Sequence, residues 1–223
     1  MHSPAPSQEN LAREALSPSR PSLAQLALLH DEARETALLA NLLGRTAYAA
    51  GALAVAALAT VILARGTMLI AEPAAWLTLV LIGVGAMTRN YARAIRQPFE
   101  RGILREFAYD LNAIAVYAGF AWGAGAFLAL GPETSPLVLT VFAVSIPAFM
   151  TATLRTREIS LAFLAPVAGL CAFAALLRPL PEGPLAAAFV LIAAACVGGA
   201  IFWIERRENT LPTGAALPRI SAV

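Results

Sequence analysis

The chain has 223 residues, of which 59% are hydrophobic and 13% charged, with a mean hydropathy of +0.69. That balance excludes an ordinary soluble domain, in which about a quarter of the residues carry charge, and points to a polytopic membrane protein. The net charge of +2 hides an asymmetry, because all sixteen basic residues are arginine and they gather in particular connections between apolar stretches.

Residues 1–21 hold Pro4, Pro6, Pro18 and Pro21 among Ser, Gln and Asn, a composition that cannot bury a core and is expected to be disordered. Nothing in the first forty-five residues looks like a cleaved signal, so the first span is expected to insert as a signal-anchor. Ser22 followed by Gln25 forms a capping box, and the spacing predicts a helix over residues 22–45. On it Leu26, Leu29, Ala33, Ala37 and Ala40 share a stripe, with Asp31, Glu32, Arg34 and Glu35 largely elsewhere. This pattern predicts an amphipathic helix lying on the cytoplasmic membrane surface, with His30 an ordinary surface residue.

Six apolar stretches follow, at residues 46–64, 68–88, 111–131, 136–154, 159–177 and 184–204. Each is close to the ~20 residues that a helix needs to cross a hydrocarbon core. The fold class is therefore all-α, a polytopic protein with a six-helix membrane domain over residues 46–204. Fourteen arginines flank the spans on one side and only Arg65 and Arg178 lie on the other, which predicts that both termini are cytoplasmic. The second helix is expected to run on to Gln97, where Pro98 breaks it. Arg89, Arg93, Arg96, Arg101 and Arg105 in the next connection suit anionic lipid headgroups. Trp76 and Trp203 fall near span ends, where an aromatic belt is expected. The last segment, residues 205–223, is expected to be a flexible tail, with Pro212, Gly214 and Pro218 in it.

An ionisable side chain in mid-span would be the first functional candidate. Glu72, Asp110, Glu158 and Glu205 all sit at span ends instead, which argues against a proton pump, an ion-coupled transporter and an intramembrane protease. The only histidines, His2 and His30, precede the first span, so a histidine-held haem within the bilayer is excluded for this chain. Cys171 and Cys196 lie within spans and read as small packing residues. With no phosphate-binding loop, metal-ligand cluster or Ser and His pair, the expectation is a non-enzymatic protein without cofactor or metal. Small residues at four-residue spacing mark helix–helix contacts: Ala115, Gly119 and Gly123 in the third span, and Ala194 with Gly198 and Ala195 with Gly199 in the sixth. They serve either packing within the chain or a dimer face. Pro147 and Pro166 interrupt the fourth and fifth spans, each freeing a carbonyl. With Tyr117, Trp122, Ser145 and Thr151 they are expected to line a small, weakly polar ligand pocket.

The order of features resembles the six-helix membrane input module of bacterial GGDEF diguanylate cyclases and sensor histidine kinases. The resemblance rests on residues 38–43 leading into the first span, the Trp76 helix ending at Arg89, Gly119-Phe-Ala-Trp122-Gly123, and Pro166 within Phe163-Leu-Ala-Pro-Val, and covers residues 36–208. It implies an input module in the bacterial inner membrane, driven by a membrane or ligand cue. Only residues 205–223 follow the last span, so the catalytic output of that family is not expected here. The leading expectation is a sensor-like module acting by interaction, with membrane lipids and a second copy or another protein as partners, and no nucleic acid. The alternatives are an accessory subunit of a larger membrane complex and a small transporter or channel for a neutral or amphipathic solute.

Overall fold

The computed structural model describes residues 23–63, 71–98, 100–130, 134–179 and 181–210. Among them every regular element is a helix: α1 Leu23–Leu63, α2 Ala71–Ala94, α3 Arg101–Gly123, the single turn α4 Gly125–Leu128, α5 Pro136–Leu154, α6 Arg157–Leu176 and α7 Glu182–Thr210. Six of them are long and apolar enough to cross a membrane, α4 continuing the α3 span. The expected disorder of residues 1–21, the Ser22 cap and the far part of the tail lie outside the described residues.

Three elements differ from the sequence expectation. Residues 22–45 do not form a separate surface helix; α1 runs 41 residues without a break at Gly44 or Arg45. At 1.5 Å per residue that is a rod about 60 Å long, twice a hydrocarbon core. The helix contains no proline, and the Thr46 hydroxyl returns its hydrogen bond to the Leu42 carbonyl at 3.2 Å, so nothing at the junction interrupts the ladder. Similarly, α3 begins at Arg101, so the basic segment before the third span is the first part of that same helix. At the other boundary α7 continues to Thr210, past the expected end of the membrane part at Ile204.

Local chemistry accounts for the helix ends. Ser135 caps α5 by accepting from the Val138 amide at 3.3 Å, and Pro136 follows where no donor is needed. Pro73 sits in the first turn of α2 for the same reason. After Ala94 a further turn closes through Gln97, with Arg96 N donating to Arg93 O and Gln97 N to Ala94 O, before Pro98 ends it. Threonine hydroxyls along the apolar stretches donate to carbonyls four residues back, at Thr60, Thr78, Thr88, Thr140 and Thr151. That habit leaves few hydroxyls in need of a partner within the bilayer.

The helices pack as two triads. In the first α1, α2 and α3 touch pairwise, and in the second α5, α6 and α7 do. The triads join chiefly along α3 and α6, with α1 against α5 as a second seam. The buried face of α2 repeats at steps of three and four residues (Pro73, Trp76, Val80, Gly83, Met87, Asn90, Ala94), the seam of a closely packed helix pair. One apolar core runs through the bundle, with Leu53, Trp76, Val80, Met87, Leu111, Trp122, Leu139, Phe163 and Val167 almost wholly buried. A smaller cluster of Leu164, Ala168, Ala194 and Ile201 fixes α7 to α6.

Candidate functional site

The α3–α6 seam depends on two glycines. A Cβ at Gly119 would lie 2.5 Å from the Phe163 carbonyl oxygen and 2.7 Å from Pro166 Cγ, and one at Gly123 would lie 3.0 Å from Leu170 Cβ. The small residues of the third span are thus consumed by packing within the chain, with Ala115 buried beside them. Gly119 and Gly123 are covered by α6, so of the two roles left open for them it is packing within the chain that the structure shows. In α7, Ala194 is buried and Gly198 meets only Leu164, at 4.0 Å, whereas Gly199 has nothing within 4 Å and opens outward.

Above this seam lies an aromatic cluster from three helices. Trp76 of α2, Trp122 of α3 and Phe142 of α5 are all buried. The Trp122 and Phe142 rings stack with centroids 4.7 Å apart, and Trp76 is tilted against Trp122 at 5.5 Å. Both indoles find acceptors: Trp76 Nε1 donates to Ala121 O at 2.8 Å and Trp122 Nε1 to Phe142 O at 3.0 Å. Gly125 makes room, since a Cβ there would come within 2.7 Å of both Phe142 and Trp76. Trp76 is therefore a core residue and not the interfacial anchor its position suggested; Trp203, 61% exposed, keeps a surface position.

Beside the cluster a groove of about 420 Å³ opens between α1 and α5. Ala56, Ala59, Thr60 and Leu63 form its α1 wall, Val138, Val141, Phe142 and Ser145 its α5 wall, and Trp122, Ala129, Leu130 and Thr134 close the remainder. Ala59, Leu63, Val138, Val141 and Ser145 are exposed, so the groove faces outward and not into a sealed core. Arg178 donates to the Thr134 carbonyl and ties the end of α6 to this rim. The lining is apolar with a few hydroxyls, suited to a small apolar or amphipathic molecule.

The six residues expected to form one pocket are dispersed. Trp122 and Ser145 line the groove. Tyr117 is on the α2 side, 37% exposed, its hydroxyl donating to Leu79 O at 3.2 Å. Pro147 and Thr151 are buried lower in α5, where the Thr151 hydroxyl donates to Pro147 O at 2.8 Å. That carbonyl is one turn beyond the one Pro147 frees, at Ala143, so the threonine does not mend the proline gap. Pro166 packs on Gly119. Sequence reasoning missed Trp76, Phe142 and the α1 wall, because the relevant neighbours are distant in the chain.

At the opposite, arginine-rich end α1 extends beyond the apolar stretch and is clamped to α3. Glu35 takes a charge-paired hydrogen bond from Arg105 at 2.9 Å and a close one from Arg101, which also reaches Glu32 at 3.5 Å. The hydrogen bond from Arg101, with the charges of Arg101 and Arg105, holds the Glu35 carboxyl below its ordinary value despite a smaller opposing effect of desolvation. Arg101 and Arg105, read as headgroup ligands, are thus engaged with α1. Arg89 and Arg93 line a separate recess between α2 and α3 with Asn90 and Asp110, and Arg96 is exposed beyond the end of α2. Arg45 donates to Thr153 O at 3.4 Å, tying α1 to the last turn of α5. Meanwhile Leu28, Leu29 and Leu38 are exposed, Leu29 and Leu38 on opposite sides of the helix, whereas Ala40 of the expected stripe packs against the core. Compared with known proteins, the chain matches no family model, no curated protein and no solved structure.

Proposed function

We propose that the chain is a non-enzymatic, multi-pass module of the bacterial inner membrane that acts by interaction, with both termini in the cytoplasm. The groove beside the aromatic cluster takes a small apolar or amphipathic molecule from the outer half of the membrane, and α1 carries the consequence to the cytoplasmic end. The observation that supports this reading is the continuity of α1. One uninterrupted helix supplies a wall of the groove at Ala56, Ala59, Thr60 and Leu63 and the charged clamp at Glu32 and Glu35. A stiff rod shifted by an ångström or two at one end moves its other end, which is how a packed bundle passes a small local change over distance. The exposed leucines near the end of the rod are where a partner would read the movement.

The arginine asymmetry supports the orientation. The reading is in keeping with the resemblance to bacterial membrane input modules. A solute-transport role lacks a polar path, because the interior between the described helices is filled by Leu53, Val80, Met87, Leu111 and Phe163. Co-purification in mild detergent tests the proposal. A partner or a second copy should be recovered with the chain and lost when Leu28, Leu29 and Leu38 are replaced together by Ser. Recovery of the native chain alone and monomeric would contradict it.

A further inference from the structure

A second recess, of about 920 Å³, lies at the arginine-rich end between α1, α3 and the turn joining α5 to α6. Its polar lining combines Arg105, Tyr109 and Asn112 of α3 with Arg155, Thr156, Arg157 and Glu158. Arg105 pairs with Glu35 through one nitrogen and the Arg157 guanidinium lies 4.2 Å over the Phe202 ring, so the recess offers their remaining N–H donors. Leu39 and Leu42 of α1 with Ile159 and Leu161 of α6 supply an apolar side. Leu42 and Leu39 precede the apolar stretch by roughly 6 and 10 Å at 1.5 Å per residue, the depth of a headgroup layer.

Three features set this recess apart from a merely basic surface. Asn112 Oδ1 and Thr156 Oγ1, both on residues that line the recess, are buried without a hydrogen-bond partner. Such atoms are costly unless something donates to them or accepts from them. Thr156 occupies the N-cap position of α6 yet its side chain makes no capping bond, so its hydroxyl is not used by the helix it begins. Arg155 adopts φ 54°, a left-handed conformation that glycine or asparagine usually supplies, and ends α5 there so that α6 can start at Arg157.

We propose that this recess binds one anionic phospholipid whose headgroup carries free hydroxyls. Its phosphate diester lies among Arg105, Arg155 and Arg157, near the amide end of α6, where an anion is favoured. The headgroup hydroxyls meet the exposed Glu158 carboxylate and, as the Asn112 and Thr156 side chains rotate into the recess, the two oxygens that otherwise have no partner, and the start of the acyl chains rests on the leucines. The charge selects an anionic lipid over a zwitterionic one, and the acceptor atoms select a hydroxylated headgroup over a bare diester.

The full chain in nanodiscs tests this by thermal melting and by native mass spectrometry of retained lipid. The membranes are phosphatidylcholine alone, or with added phosphatidylglycerol or phosphatidylmethanol, the last an anionic diester without hydroxyls. Phosphatidylglycerol should raise the melting temperature and be retained about tenfold over phosphatidylmethanol, the worth of one buried hydrogen bond. Soluble glycerol phosphate should produce no comparable shift. Thr156→Val and Asn112→Leu should melt no lower than the native chain in phosphatidylcholine, because they remove unsatisfied atoms, yet lose most of the phosphatidylglycerol shift. Arg96→Gln, outside the recess, should keep it. Equal effects of all three lipids, an equal effect of glycerol phosphate, or a Thr156→Val chain that melts lower in phosphatidylcholine while retaining the shift would overturn the proposal.

Discussion

Gly119 is the most constrained position in the bundle, because its neighbour is a backbone carbonyl that cannot rotate away. Gly119→Ala should cost about 1–3 kcal/mol, the usual range for overpacking. Gly199→Ala, with open space around it, should be neutral or gain up to about 1 kcal/mol from helix propensity. Melting in one detergent compares the two directly, and equal effects would mean that α3 and α6 do not approach as described. In the aromatic cluster Trp76→Phe removes the bond to Ala121 O and part of a buried ring, and is expected to cost about 2 kcal/mol or more. Trp203→Phe, at a largely exposed ring, should cost well under that in the same assay. The small-residue spacing was legible from the sequence, but not its partner: Gly119 and Gly199 look alike in a linear pattern, and only the packing distinguishes them. For the same reason Trp76 reads as a surface anchor from its place near a span end and is in fact a core residue.

The clamp between α1 and α3 makes the projecting end of α1 part of the folded unit. Glu35→Gln removes the charge that Arg101 and Arg105 share, and a spin label at the exposed Leu38 should then become more mobile while the span is unaffected. The pH dependence has a definite sign. Because the Glu35 value is lowered in the folded chain, the contribution of the clamp is complete above the ordinary carboxylate range and is lost as pH falls through the lowered value. Label mobility should stay constant from neutral pH down to about the ordinary range near 4.3 and rise only below it. A rise between neutral pH and that range would show that another group controls the contact. The arginines themselves were conspicuous in the sequence. Their partners were not, since Glu32 and Glu35 lie 69 and 70 residues away and a charge run along one helix does not say what faces it. The continuity of α1 was equally hidden. Residues 22–45 and 46–64 differ in composition, and a change of composition reads as a boundary even where the backbone has no reason to bend.

For the molecule as a whole, the number of spans was legible from hydropathy and length, and the arrangement of the two triads was not, because nothing local specifies that α3 meets α6. Orientation has its own test. With Cys171 and Cys196 replaced by Ala, a single Gly102→Cys should resist a membrane-impermeant thiol reagent in intact cells and Glu182→Cys should react; labelling of the first and not the second would invert the protein. The coupling of the groove to the projecting end of α1 is tested most directly by the distance between spin labels at Leu38 and Gly102. Ala59→Trp, which fills the groove from the α1 wall, should shift that distance by about 1–2 Å, the scale of a helix displacement. Inserting Gly-Pro-Gly after Gly44 to break the rod should abolish the shift. An unchanged distance in Ala59→Trp, or a shift that survives the broken helix, would contradict α1 as the link between the two ends.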